Sequence, residues 1–252
     1  MNNFLKNLNR IEFVITYDCT GKCKHCSEGS HSHTGIHIDK DVSSKIIFDV
    51  AKEYNIQSVM TFGGEPLLYS DSVCAIHLAA KTMNIPKRQL ITNGFFSNDA
   101  EKVRMIVKNL KASGTNDILL SVDAFHQEHI PIEPVKLFAE EVQRAELPIR
   151  LSPAWLVGKS EKNKYNLKTA EILYEFIALG IKESDGNVVF PEGNALKYLK
   201  EYFIHQIPDN PYIENPTDVK SISIDPDGSI FGENIHNKNI LQILENYQPD
   251  IF

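Results

Sequence analysis

The stretch IEFVITYDCTGKCKHC, residues 11–26, joins a strand to a reactive loop, and it decides the fold. Its first six residues are rich in β-branched and aromatic side chains, which predicts a short strand. Three cysteines follow on the predicted loop with the spacing Cys19-x3-Cys23-x2-Cys26. In parallel α/β proteins, the loops at the carboxyl ends of the strands carry the chemistry, and this stretch fits that architecture.

The same alternation of strand and helix continues along the chain to residue 190. The predicted strands are residues 11–16, 56–62, 89–92, 118–122, 149–151 and 187–190. Apolar residues at helical spacing predict helices between them, over residues 42–54, 73–83, 103–110, 135–145 and 167–179. Such βα repeats require parallel strands with right-handed crossovers. Since a closed barrel of this kind has eight repeats, six predict an α/β fold with an open, partial (β/α)6 barrel over residues 1–192.

The remaining residues, 193–252, do not continue the alternation of strand and helix. They are predicted to form a small C-terminal hairpin-plus-helix extension. The run SISIDPDGSIF, residues 221–231, predicts a hairpin whose turn is Asp-Pro-Asp-Gly. Residues 195–203 and 240–247 are predicted to be helical. The Pro- and Asn-rich stretch 208–216 between them is predicted to be a loop.

Composition argues against several classes of protein. The chain has 252 residues, of which 42% are hydrophobic and 23% charged, and this balance is typical of a globular protein with a large core. The net charge of −7 does not suit a nucleic-acid-binding face, so no nucleic-acid partner is expected. No run approaches the ~18 apolar residues of a membrane span, and residues 1–10 lack the apolar core of a signal peptide. We therefore expect a cytoplasmic protein that does not associate with membranes.

The clustered cysteines indicate a metal centre, because thiolates suit soft metals such as zinc or the iron of an iron–sulfur cluster. A closed zinc site needs four ligands, and the fourth cysteine of the chain, Cys74, falls inside a predicted helix. A 4Fe–4S cluster on three cysteines would instead leave one iron open for a substrate or cofactor. For zinc, the candidate fourth ligands are His25, His31, His33 and His37.

The cysteine spacing, taken together with Gly63-Gly64-Glu65-Pro66 after the second predicted strand, resembles the radical S-adenosylmethionine (SAM) superfamily over residues 11–191. The resemblance implies one 4Fe–4S cluster held by Cys19, Cys23 and Cys26, with SAM on the open iron. It implies reductive cleavage of SAM to a 5′-deoxyadenosyl radical, which abstracts hydrogen from a substrate. An electron donor of the flavodoxin or ferredoxin type is implied as a partner.

The resemblance also implies which residues contact SAM. His25 stands where the family often has an aromatic residue against the adenine, and Gly63-Gly64 and Glu65 would meet the methionine ammonium. The full implied set is His25, Gly63, Gly64, Glu65, Pro66, Asn93, Ser121 and Asp123. From the residues alone, His25 also fits a solvated loop, and residues 92–94 fit an ordinary turn. Asp123 could bind SAM, bind substrate or cap the next helix.

The extension resembles that of the SPASM and Twitch branches of the superfamily, where a similar hairpin precedes cysteines that bind auxiliary clusters. Here Gly232 falls near an expected cysteine, and no cysteine follows Cys74. The extension is therefore interpreted as a relic without an auxiliary cluster that closes one side of the barrel. An unrelated hairpin appendage is the alternative.

Several functional hypotheses follow. A peptide substrate, as in the maturation of a ribosomally made precursor, is favoured by the SPASM-like extension. The alternatives are a small-metabolite substrate, a glycyl-radical activase and a non-enzymatic metal-binding protein. His126, Glu128 and His129 would bind a polar substrate, relay protons or form a solvated loop. Glu192 and Asn194 follow the last predicted strand and are expected to line the cavity. Cys74 is interpreted as a core thiol, with hydrogen-atom donation as the alternative.

Overall fold

The computed structural model of the chain describes residues 2–29, 31 and 33–249. Its strands are β1 (Arg10–Val14), β2 (Ser58–Phe62), β3 (Lys87–Thr92), β4 (Asp117–Leu120), β5 (Ile149–Leu151), β6 (Ala154–Leu156), β7 (Lys182–Glu183), β8 (Asn187–Val189), β9 (Ser221–Ile224), β10 (Ser229–Ile230) and β11 (Glu233–Asn234). Its helices are α1 (Lys40–Glu53), α2 (Ser70–Thr82), α3 (Ala100–Ser113), α4 (Ala124–Gln127), α5 (Ile132–Arg144), α6 (Lys164–Ile177), α7 (Gly193–Tyr198) and α8 (Ile240–Asn246). Short 3₁₀ helices cover Asn3–Leu5, Pro66–Tyr69 and Lys200–Phe203.

The main sheet has seven strands in the order β7-β5-β4-β3-β2-β1-β9, and every neighbouring pair is parallel. Strands β1 to β5 lie side by side in chain order, and at least one helix separates each strand from the next, as the βα pattern predicts. Among the described residues no pairing joins the outer strands β7 and β9, so the barrel is open. The predicted α/β partial barrel is confirmed.

The sixth predicted strand, residues 187–190, takes a different place from the expected one. This segment is β8, which pairs with β6 in a separate two-stranded sheet, while β7 forms the edge of the main sheet beside β5. The break has a local cause. Pro153 cannot donate a ladder hydrogen bond. Opposite it, Gly186 adopts a φ of +73°, and a Cβ there would lie 2.2 Å from the Pro153 carbonyl oxygen.

The predicted hairpin over residues 221–231 is correct only at its turn. Gly228 N donates to the Asp225 carbonyl (2.9 Å) and Asp225 N donates to the Ser229 carbonyl (3.0 Å), but no strand ladder joins β9 to β10 among the described residues. β9 pairs in parallel with β1, with Arg10 opposite Ser221, and the antiparallel hairpin is formed by β10 and β11. Ile222 and Ile224 are buried and alternate with two serines, which gives β9 one apolar face. This period of two fits an added parallel strand as well as a hairpin. The C-terminal helix α8 is confirmed, and a domain boundary near residue 193 stays a prediction.

Helix ends follow the local sequence. Asp39, Asp99 and Asn163 accept hydrogen bonds from backbone N–H groups in the first turns of α1, α3 and α6. The helices pack their apolar faces on the sheet around fully buried aromatic side chains such as Phe13, Phe138 and Phe176. No helix in the described part of the chain is both long and apolar enough to cross a bilayer.

A buried histidine in α2 joins β2 to the turn before β4. Thr61 Oγ1 donates to the Gln89 carbonyl (3.2 Å), so it accepts from His77 Nε2 (3.1 Å), and His77 Nδ1 then accepts from Thr115 Oγ1 (2.7 Å). Every ring nitrogen is satisfied in the neutral form. Burial lowers the pKa of His77 to about 3.

Acid is therefore expected to destabilise the fold through His77. Below its unfolded pKa of about 6.5, the unfolded chain binds a proton that the folded chain excludes, so stability is lost as pH falls. Urea unfolding at pH 7.5 and 5.5 should show a loss about 1 kcal/mol larger in the wild type than in His77→Gln. Equal pH dependence in the two proteins would contradict the assignment.

Candidate active site

A cavity of about 100 Å³ opens where the carboxyl ends of the central strands meet. Cysteine, glycine, histidine and small polar residues line it: Cys19, Gly21, Cys23, His25, Cys26, His31, Gly63, Gly64, Ile91, Thr92, Asn93, Ser121 and His126. The structure thus brings together the three clustered cysteines, the glycine pair and three further residues of the implied SAM-contacting set. Glu65, Pro66 and Asp123 lie outside the cavity wall.

The three cysteines lie on the irregular loop after β1, and each is a free thiol. The Gly21 N–H donates to Cys19 Sγ (3.3 Å), and Asn93 Nδ2 lies 3.7 Å from the same sulfur. Burial raises the pKa of all three thiols, that of Cys19 to about 12. Because metal ligands are thiolates, each cysteine must lose a proton on binding a metal, so metal uptake is expected to be favoured at higher pH.

The glycine pair brings the loop after β2 directly against the cysteine loop. Gly64 N donates to the Thr16 carbonyl (2.7 Å), and Glu65 N donates to the Asp18 carbonyl (2.8 Å), which extends the β1–β2 pairing. A Cβ on Gly64 would lie 2.1 Å from the Asp18 oxygen. A Cβ on Gly63 would lie 2.5 Å from the Thr16 oxygen, and its φ is +137°. Only glycine permits this approach, and it leaves bare backbone facing the cavity.

Glu65 is fully buried behind the glycine pair. Its carboxylate accepts hydrogen bonds from Leu67 N (2.9 Å), Thr92 Oγ1 (2.7 Å) and Asn93 N (2.9 Å). Burial raises the pKa of Glu65 to about 7, while these three donors favour the charged form. The arrangement differs from the direct ammonium contact that the resemblance implies. The carboxylate ties the loop after β2 to the end of β3, and Pro66 begins the short 3₁₀ helix that follows.

The ends of β3 and β4 complete the cavity wall. Asn93 is buried, and its side chain accepts from Phe95 N (2.8 Å) and donates to Thr20 Oγ1 (3.1 Å) on the cysteine loop. Ser121 N donates to the Thr92 carbonyl (2.8 Å), and Ser121 is one of the residues that line the cavity. The residues 92–94 are thus more than an isolated turn, because they contact both neighbouring loops.

Asp123 caps a helix and orients a histidine. It is fully buried, accepts from the backbone N–H groups of Phe125, His126 and Ala154, and pairs with His126 Nδ1 (2.8 Å). Burial alone would raise the pKa of this carboxyl, but His126 and the N–H donors hold it well below its usual range. Of the three roles open in the sequence, the structure places Asp123 in the capping geometry.

Asp123→Ala is expected to lower the free energy of unfolding by about 3 kcal/mol, because the half-buried His126 partner and the helix N-terminus lose their acceptor. The matched control is Glu128→Ala, since the Lys24–Glu128 pair (3.0 Å) is half-exposed and worth under about 1 kcal/mol. Urea unfolding compares the variants. An Asp123→Ala protein that keeps wild-type stability but binds SAM weakly would instead make Asp123 a direct SAM contact.

Three histidines lie on the cavity wall, namely His25, His31 and His126, whereas His37 does not. His25 packs against the Phe125 ring (4.8 Å between centroids) and the His126 ring (4.9 Å), and burial lowers its pKa to about 4. Its Nδ1 is buried and has no hydrogen-bond partner among the residues that the structure describes, which leaves it available to a bound group. His31 Nε2 lies 3.3 Å from Cys26 Sγ. His37 instead stacks on Tyr69 and is not among the residues that line the cavity.

Cys74 and Asn194 were candidates for the cavity, but both lie outside its wall. Cys74 lies in α2 beside Ser113 of α3, where burial raises its pKa, and it packs on the main core. This position fits the core-thiol interpretation. Asn194, expected to line the cavity, instead directs its side chain to the backbone of the cysteine loop. The sequence offered only its position after the last strand as a signal.

The residues present fit a 4Fe–4S cluster with SAM beside it. Three soft sulfur donors share one cavity, and a fourth side is bounded by glycine backbone that no Cβ obstructs. The unpartnered Nδ1 of His25 adds a polar atom that a bound group would satisfy.

The chain is similar in sequence to probable GTP 3′,8-cyclases. A probable GTP 3′,8-cyclase of Saccharolobus islandicus (strain L.S.2.15 / Lassen #1) is 25% identical over 217 residues, covering 80% of this chain and 67% of the relative. A second probable GTP 3′,8-cyclase, from Methanocaldococcus jannaschii, is 28% identical over 128 residues, covering 50% of this chain and 40% of the relative.

Solved structures show the same fold. Native anSMEcpe with bound AdoMet aligns with a TM-score of 0.52 at 15% identity, over 94% of this chain and 80% of that one. BtrN in complex with AdoMet and 2-DOIA aligns with a TM-score of 0.50 at 14% identity, over 95% of this chain and 82% of that one.

The family that matches is the Radical SAM superfamily, over residues 13–147, which is more than half of the chain. The match takes in the three clustered cysteines, the glycine pair and Asp123. The match implies a 4Fe–4S cluster and SAM as cofactors. It also identifies the protein as an enzyme that acts on a substrate and uses a reductant. This chain therefore belongs to the radical SAM superfamily.

Proposed function

We propose that Cys19, Cys23 and Cys26 hold the 4Fe–4S cluster and that the enzyme abstracts hydrogen from a peptide, with electrons from a flavodoxin- or ferredoxin-type donor. The cluster and SAM, when bound, supply the 5′-deoxyadenosyl radical. The chain's own residues supply the rest. The thiols bind the metal, the Gly63–Gly64 backbone lets the methionine end of SAM approach, and Glu65 holds that loop against Asn93.

His25 and His126 lie next to each other on the cavity wall. Asp123 accepts from Nδ1 of His126, so the ring has a fixed orientation and Nε2 is left as the free nitrogen. The His25 ring rests on Phe125 and is proposed to lie against the adenine of SAM. Ser121 is proposed to contact the same cofactor from the end of β4.

The observation that carries the substrate class is the charge around the cavity. None of the described residues that line it is a lysine or an arginine. Beside it, Glu28 has a pKa raised by burial and by the nearby carboxylates of Asp225 and Glu192. Such surroundings repel a polyanion and suit a neutral or cationic chain. The SPASM-like character of the extension favours a peptide among such substrates.

A small metabolite is the second candidate, because the sequence relatives named above are probable GTP 3′,8-cyclases. The absence of lysine and arginine from the described cavity wall disfavours a nucleoside triphosphate, whose phosphates such side chains typically bind.

The test is anaerobic reconstitution with iron and sulfide, followed by dithionite, SAM and a candidate substrate, with 5′-deoxyadenosine measured by chromatography. We expect slow formation of 5′-deoxyadenosine without substrate and faster formation with peptides, basic ones above acidic ones. GTP should neither accelerate the reaction nor be consumed. Consumption of GTP would overturn the peptide proposal, and zinc in place of iron would overturn the cluster assignment.

A further inference from the structure

The backbone of the cysteine loop is held by one side chain from α7, which is far from the loop in sequence. Asn194 Nδ2 donates to the carbonyl oxygens of Cys23 (3.1 Å) and Gly29 (3.0 Å). The backbone N–H of Asn194 donates to the Cys26 carbonyl (2.9 Å). The loop from Cys19 to Gly29 has no helix or strand of its own, so bonds of this kind determine its shape.

These contacts join parts of the chain that belong to different sheets. The cysteine loop follows β1 of the main sheet, whereas Asn194 is the second residue of α7 and comes after β8 of the separate two-stranded sheet. No strand pairing connects these two sheets in the described part of the chain. Asn194 therefore supplies a link that strand pairing does not.

The residue before Asn194 permits the close approach of α7 to the cysteine loop. Gly193 has a φ of +50°, and a Cβ there would lie 2.2 Å from the Ser27 carbonyl oxygen. Asn194 itself is 7% exposed and is not among the residues lining the cavity. Its side chain touches the backbone that carries the thiols and does not face the space for the cofactors.

We infer that Asn194 is a positioning residue that fixes the spacing of Cys23 and Cys26 and so slows the loss of iron from the cluster. The inference rests on the proposed role of the three cysteines as cluster ligands. Residues that orient metal ligands from behind typically change metal affinity by about 10- to 100-fold when they are replaced.

The variants are Asn194→Ala and the isosteric Asn194→Asp, which keeps the volume but replaces the Nδ2 donor with an oxygen that faces two carbonyls. The matched control is Asn166→Ala. Asn166 is also buried and donates to the Gly158 (2.8 Å) and Glu161 (2.9 Å) carbonyls of a loop outside the cavity. Replacing Asn166 also removes a buried asparagine that donates to loop carbonyls, but Asn166 does not contact the cysteine loop.

The reconstituted proteins are exposed anaerobically to an iron chelator, and iron release is followed by absorbance. Electron paramagnetic resonance of the dithionite-reduced cluster is recorded in parallel. Both Asn194 variants should release iron at least about tenfold faster than the wild type and give a broadened signal. Asn166→Ala should match the wild type in both readouts.

Iron release from both Asn194 variants at the rate of Asn166→Ala would overturn the inference while leaving the cluster assignment intact. If the wild type itself assembles no iron–sulfur cluster, the proposed function fails first. Should Asn194→Ala not fold, Asn194→Asp decides the question, since it retains the side-chain volume and the backbone bond to Cys26.

Discussion

Replacing Cys19, Cys23 or Cys26 with Ala is expected to abolish both cluster assembly and SAM cleavage, whereas Cys74→Ala keeps both. The three thiols share one cavity, and a cluster that loses one of its three protein ligands has no other cysteine within reach, because Cys74 lies in α2 on the main core. Iron and sulfide content, together with 5′-deoxyadenosine formation, measures the effect. The expected loss is to background for each of the three variants.

The matched control makes the outcome specific. Cys74 is half-buried like Cys19 and Cys26, so its replacement tests a general loss of thiol or packing. A cavity cysteine variant that still cleaved SAM would contradict the ligand assignment. Stoichiometric zinc in the wild-type protein, with His25 or His31 as the fourth ligand, would instead support the hypothesis of a structural zinc site.

Gly64→Ala is expected to lower 5′-deoxyadenosine formation by about 100-fold, because displacing a reacting group by about 1 Å costs that much. The new Cβ would lie 2.1 Å from the Asp18 carbonyl oxygen, so the loops after β1 and β2 must separate. The hydrogen bond from Gly64 N to Thr16 (2.7 Å) then lengthens, and the glycine backbone moves relative to the cysteines.

Gly158→Ala is the control, since a Cβ there has no contact closer than 3.9 Å and its backbone is not left-handed. Comparing SAM affinity and turnover in the two variants separates loop displacement from a general effect of adding a methyl group. Wild-type turnover in Gly64→Ala would show that the close approach of the two loops is not needed for SAM cleavage.

Much of the fold could be predicted because it rests on local patterns. The alternation of β-rich runs with helical periodicity predicted the consecutive parallel strands, and the positions of the motifs at strand ends predicted one shared cavity. The partner of β9 could not be predicted. Ile222 and Ile224 show a period of two, which indicates one buried face but not which strand lies alongside.

Side-chain direction limited the prediction of the site. Glu65 and Asp123 lie at the expected strand ends, yet both are fully buried and bind backbone donors. Nothing local distinguishes a carboxylate that faces a cofactor from one that caps a turn behind it. Asn194 was placed near the cavity for the same topological reason, but its contacts depend on residues far away in the chain.

The pairing of β9 with β1 has a consequence for synthesis of the chain. Until residues 221–224 have left the ribosome, β1 is an edge strand whose outer N–H and C=O groups are unpaired. The strand that carries the cysteine loop is thus among the last to be enclosed, although it is among the first to be made. Contacts so distant in sequence form slowly. A nascent chain paused before β9 is expected to expose this edge of β1 to aggregation, so β1 is protected only after translation has passed residue 224.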